Sequence, residues 1–171
     1  MNKNNFDKDF IWGVSSSALQ SEGAWQQDDK GLSIWDEFSK RKKKIKNNHH
    51  PAIACDFYNR YQEDIGIINQ LNIPNFRFSL SWSRILPDGT GKVNQKGIDF
   101  YKRVIDTCLE KNITPWVTLY HWDLPQALQH KGGWTNRDMI DWFGEYAQVS
   151  ANHFKDTVKH WMVMNEPMVF T

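Results

Sequence analysis

Pro167 lacks an amide hydrogen and cannot continue a strand ladder, so Asn165-Glu166-Pro167 reads as a strand end with Glu166 at its carboxyl terminus. If Trp161, Met162 and Met164 cover that carboxyl, its ionised form is disfavoured and it suits a general acid. The plainer alternative is a solvated Glu in a helix N-cap region, and the triplet by itself favours it slightly. His121-Trp122-Asp123-Leu124-Pro125 ends another run in the same manner. There His121 can hydrogen-bond a hydroxyl, Trp122 can lay an aromatic face on the apolar C–H side of a pyranose ring, and the Asn165 amide can donate and accept at once. A metal role for His121 would need two more ligands at suitable spacing, which Asp123 alone does not supply. Near the amino terminus Gln20 is a second two-way amide, and Glu22 reads as a loop anchor in preference to a site acid.

Elements of two kinds must position these groups. Apolar residues recur at three- and four-residue steps in Tyr58, Tyr61, Ile65, Ile68 and Leu71, in Ile98, Tyr101, Ile105 and Cys108, and in Met139, Phe143, Ala147 and Phe154, which predicts three amphipathic helices. Between them lie short β-rich runs over 10–14, 76–82, 115–122 and 158–165. That alternation is the pattern of βα units on a parallel sheet. Asn94 and Thr135 are predicted as helix caps, Thr135 with Asp138 three positions on. In the second run the apolar residues alternate with Arg77, Ser79, Ser81 and Ser83, whereas strands of an open doubly wound sheet are apolar on both faces. A closed barrel removes the conflict, with the apolar face against outer helices and Arg77 and the serines facing the interior near a polar site; an edge strand with one wet face is the alternative.

Composition narrows the class. The chain has 171 residues and a net charge of +1, with 9 Trp, 10 Phe and 5 Tyr, which fits a globular protein with a large core or an aromatic-lined cleft. Cys55 and Cys108 form no CxxC pair and read as reduced core thiols, so neither a zinc site nor any cofactor is expected. Neither a signal core nor a membrane-length apolar run is present, and a cytoplasmic protein is expected. The basic run Lys40-Arg41-Lys42-Lys43-Lys44-Ile45-Lys46 reads as a solvated loop rather than a nucleic-acid contact, because the chain as a whole is nearly neutral. Gly89-Thr90-Gly91-Lys92 lacks phosphate-loop spacing and reads as a turn.

Together the motifs resemble the amino-terminal part of glycoside hydrolase family 1, the β-glucosidase family. The resemblance runs in order through Phe10-Ile11-Trp12-Gly13-Val14 with Gln20 and Glu22-Gly23, then Asp29 to Asp36, Ala54-Cys55-Asp56-Phe57-Tyr58, Arg77 to Ile85, Thr118 to Pro125, Gly132-Gly133-Trp134 and Asn165-Glu166-Pro167. It implies a (β/α)8 TIM barrel, here its first four strands with their helices, within one glycosidase domain over residues 1–171. It implies a retaining β-glycosidase with Glu166 as acid/base, Gln20, His121, Trp122 and Asn165 lining the glycone subsite, and Arg77 orienting the nucleophilic carboxylate. Trp122 in place of the Phe of phosphoglycoside-specific members leans toward an unphosphorylated sugar. Leu19 and Pro51-Ala52-Ile53 depart from the family pattern and put local loop fit in question.

A larger departure concerns the nucleophile, which the resemblance places on a seventh strand in a Glu-Asn-Gly context that these residues do not contain. Retaining hydrolysis needs two carboxyls about 5–5.5 Å apart, so little or no turnover is expected of the chain alone. Two other readings are a non-catalytic fragment that binds sugar weakly and a half-barrel that self-associates through its open edges. The expected partner is a β-glycoside or oligosaccharide. Whether the sugar is glucose, galactose or fucose depends on contacts outside this stretch.

Overall fold

The computed structural model describes residues 6–170. Along the chain run β1 (Val14–Ser15), α1 (Ala18–Ser21), α2 (Ile34–Ser39), α3 (Phe57–Gln70), β2 (Asn75–Ser79), α4 (Trp82–Ile85), α5 (Gln95–Glu110), β3 (Thr114–Tyr120), α6 (Gln126–Gln129), α7 (Met139–Phe154) and β4 (His160–Met164). All strand pairs are parallel and the strand order is β1-β2-β3-β4, with Ser15 beside Arg77, Ser79 beside Thr118 and Thr118 beside Met162. Three long helices connect the strands, one per crossover, so the molecule is a run of βα units forming part of a (β/α)8 barrel. Among the described residues no helix is long and apolar enough to cross a membrane.

Alternation along β2 does what its sequence required. Phe76 and Phe78 are buried, with the Phe76 ring 6.1 Å from Phe57 of α3, while Arg77 stands on the other face and donates from Nε to Thr118 Oγ1 at 2.9 Å. The edge-strand alternative is thereby excluded, because β2 is paired on both sides. Further up, Trp82 is fully buried and stacks on Tyr146 of α7 at 4.7 Å, and this pair ties α4 to the last long helix.

Every strand differs in extent from its predicted run. β1 occupies only Val14–Ser15: the Asn75 side chain takes the Trp12 carbonyl at 2.7 Å, and Phe10, Ile11 and Trp12 lie exposed outside the ladder. β2 stops at Ser79 because the Tyr101 phenol accepts from the Ser81 backbone N–H at 2.6 Å and α4 starts at Trp82. β3 ends at Tyr120, before Trp122 turns into the left-handed region at φ 74°. β4 covers His160–Met164, inside the predicted run 158–165.

The capping readings fare unevenly. Asn94 does precede α5, yet its side chain donates to the Asp28 and Arg84 carbonyls instead of capping. Thr135 does not cap α7: it closes a 3₁₀ turn by donating to the Gly132 carbonyl, and Asp138 stands before Met139. A reciprocal capping box does exist at α2, between Ser33 and Asp36. Cys108 is buried, whereas Cys55 is exposed, since it lies in the turn before α3 rather than on a packed face. The basic loop from Lys40 to Lys46 is exposed almost throughout.

Candidate active site

Carboxyl ends of parallel strands share one rim, and the motif residues collect there. Arg77 of β2 is the hub. Besides its bond to Thr118 on β3, it donates from Nη2 to Asn165 Oδ1 at 2.7 Å, just past β4. The Asn165 backbone is held from both directions, its N–H on the Tyr120 carbonyl at 2.9 Å and its carbonyl on Trp122 Nε1 at 3.1 Å. One guanidinium thus fixes an amide whose Nδ2 keeps its donors unused among the described residues. Arg77 itself makes no ion pair among the described residues.

His121 is half-buried, its ring 5.1 Å from that of Trp122 and edge-on to it, and its Nδ1 is buried without a hydrogen-bond partner. Burial first, then the Arg77 guanidinium, hold its pKa below the usual histidine value, against a smaller upward pull from Glu166. At neutral pH the imidazole is therefore uncharged, with one donor and one acceptor nitrogen. Those same influences mark Arg77 and Glu166 as its electrostatic neighbours.

Glu166 sits at the end of β4 as its position before Pro167 required, but it is exposed. The cover expected from Trp161, Met162 and Met164 is not there: these side chains belong to β4, while Glu166 has turned to φ 44°, ψ 64°. Trp122 and Glu166 share this left-handed geometry, which bulky non-glycine residues adopt at a cost. Two adjacent strand ends thus carry strained site residues. Gln20, on α1, is exposed; its Oε1 accepts from Ser17 Oγ at 2.8 Å, and it makes no hydrogen bond to His121, Trp122 or Asn165.

Beside the rim lies a second polar cluster. Glu22 accepts from Arg84 Nε at 3.0 Å and from the Tyr101 hydroxyl at 2.6 Å, with all three buried, and the Arg84 guanidinium lies 4.3 Å from the centre of the Tyr58 ring. Glu22 is the loop anchor its sequence suggested. The segment after β1 is also sewn to the one after β3, since Ile34 N–H reaches the Leu124 carbonyl and Gln126 N–H the Leu32 carbonyl, each at 2.8 Å. Sequence reasoning missed the roles of two residues. Thr118 orients Arg77, and its signal was a polar position in register with the alternation of β2; Asp123 is buried under the rim beside Ser81, and its signal was an acid inside an otherwise apolar Trp122-to-Leu124 turn. No group of three or more metal-ligating side chains occurs among the described residues.

The model of glycosyl hydrolase family 1 matches residues 2–171. A 1,4-β-D-glucan glucohydrolase of Thermotoga neapolitana is 56% identical over 164 residues, covering 96% of this chain and 39% of that protein. β-Glucosidase A of Thermotoga maritima is 55% identical over 169 residues, covering 99% of this chain and 38% of that protein. The solved β-glucosidase of T. maritima in complex with castanospermine superimposes with a TM-score of 0.94 at 55% identity, over 96% of this chain and 37% of that one. The chain thus spans less than two fifths of the length of these relatives.

Proposed function

The chain belongs to glycosyl hydrolase family 1, and from that premise we propose that it supplies the acid/base half of a retaining, β-glucosidase-like active site that removes terminal β-D-glycosyl residues from O-glycosides. The observation that supports this reading is the Arg77 hub, which joins Thr118 on β3 to Asn165, the residue before Glu166, while the Trp122 indole holds the Asn165 carbonyl. Glu166 protonates the departing oxygen and later takes a proton from the attacking water. Its exposure fits a group that must reach both an aglycone and solvent. His121, uncharged, and Asn165, with spare donors, hydrogen-bond the sugar hydroxyls; Trp122 stacks on the ring, and Gln20 adds a further amide. Arg77 carries a charge that no carboxylate among the described residues balances, as suits a residue that holds the nucleophile.

That nucleophile comes from a later segment, in keeping with the share of the relatives' length spanned here. Incubation with an aryl β-glucoside tests the division of labour: the 171-residue chain gives little or no turnover, and a brisk rate abolished by Glu166→Gln overturns it. Glucose titration followed through Trp fluorescence tests the half-pocket. A weak saturable change, on the order of millimolar, is expected and disappears in Trp122→Phe; an unsaturable response removes the sugar subsite. Two strand edges favour self-association as a second property of the chain. β1 and β4 each lack a neighbour on one side among the described residues, with Ile11 and Trp12 exposed ahead of β1 and Val163 exposed within β4. Light scattering that gives a monomer at every concentration excludes it.

A further inference from the structure

Asp123 occupies an unusual position for a carboxyl. It is buried beneath the rim directly after Trp122, and its Oδ1 has no hydrogen-bond partner. Ser81, in the turn between β2 and α4, has its backbone N–H tied to Tyr101, while its buried Oγ lies close enough to the Asp123 carboxyl to favour the ionised form yet makes no hydrogen bond of full geometry. Both residues line one cavity of about 20 Å³, together with Glu22, Lys30, Ser33 and Asp36. A space of that size holds one water, and a buried water needs two to four polar partners, which this lining provides.

The surrounding charges are already matched. Glu22 is paired with Arg84, and Lys30 with Asp36 at 2.9 Å. Tyr120 and Tyr146, the other titratable groups close to Asp123, have pKa values driven far above the ordinary tyrosine value by burial. An ionised Asp123 would be the one unbalanced charge in the cluster. Desolvation, opposed by Ser81 and Lys30, lifts its pKa to about 8, so at neutral pH it keeps its proton and has both a donor and an acceptor to offer.

We propose that one internal water in this cavity joins Asp123 to Ser81, and that Asp123 is a positioning residue pinning the strained turn of His121 and Trp122 to the end of β2. A left-handed tryptophan persists only where its surroundings over-determine it. Hydrogen bonding through Asp123 supplies that constraint from below, while the Trp122 indole bond to Asn165 supplies it from above. The consequence for sugar binding rests on the function proposed above; the pinning itself does not.

The Trp122 indole ¹⁵N–¹H signal, assigned by its loss in Trp122→Phe, reads the turn directly. In the wild-type chain it holds one position in the neutral range and moves with a midpoint near 8 as Asp123 ionises. Asp123→Asn, which cannot ionise yet still hydrogen-bonds, holds the neutral-range position at every pH. Ser81→Ala, a milder change than truncating Asp123, displaces the signal already at neutral pH. A crystal structure of the chain shows one water within hydrogen-bond reach of both side chains. A wild-type signal without inflection, an inflection that survives Asp123→Asn, an unmoved signal in Ser81→Ala, or a refined cavity without water overturns the proposal. Glucose titration of the same samples separates the two readings, because a chain that shows the inflection but binds no glucose loses its sugar subsite and keeps its pin.

Discussion

Two arginines stand on β2 and on α4 just after it, and they are used in opposite ways. Arg84 is fully buried, paired with Glu22 and sandwiched near Tyr58 and Phe100. Arg77 is half-buried and holds only neutral oxygens, on Thr118 and Asn165. The first network is closed in charge, although Arg84 Nη1 is buried without a hydrogen-bond partner; the second leaves one positive charge, the Asn165 donors and an unpartnered His121 nitrogen unspent. A polar cluster that balances its own charge is scaffold, whereas one that keeps a charge in reserve is the place to look for a ligand.

Removing the guanidinium from each side should break that symmetry first. Arg84→Met strands a buried Glu22 carboxylate, and the loss of one partner of such a pair costs about 3–5 kcal/mol, read as a lowered urea midpoint. Adding Glu22→Leu recovers most of that loss, since the charge to be buried is then gone. Arg77→Met should cost less, about 1–2 kcal/mol for two hydrogen bonds at a half-exposed site, while it releases Asn165 and abolishes the glucose response. Equal costs for the two arginines would erase the distinction between scaffold and site.

The sequence made one of these arginines visible and hid the role of the other. Arg77 stood out because it interrupted an apolar strand at period two, a purely local signal. Arg84 sits in a four-residue helix whose purpose appears only when Glu22 and Tyr101 arrive from distant parts of the chain. The same division runs through the fold. Periodicity located α3, α5 and α7 and the order of the four strands, because repeated burial of one face leaves a trace along many residues. Strand ends were misplaced because single long-range bonds set them: the Asn75 amide at Trp12, the Tyr101 phenol at Ser81. Glu166 was correctly put at a strand end by its proline, yet its exposure depended on a backbone turn that no composition rule reports.

That turn allows the finest test of the contrast. Glu166 holds φ 44° immediately before Pro167, a position where a side chain is opposed by its own backbone and by the following ring. Glycine adopts such angles without the Cβ penalty, so at an ordinary loop Glu166→Gly would simply relieve strain. Its side chain is exposed and makes no hydrogen bond among the described residues, so little is lost on the other side of the balance. Glu166→Gly should therefore leave the chain as stable as before or stabilise it by up to about 1 kcal/mol, against the small entropic penalty of a more flexible unfolded chain. Thermal unfolding of the variant beside wild type reads the difference. A clear fall in stability would mean that the Glu166 side chain supports the fold, and would move it from the reserve of Arg77 to the closed scaffold of Arg84. A neutral or positive result leaves the strained backbone explained only by what the carboxyl must reach, because an exposed side chain whose backbone costs stability is kept in place for its chemistry.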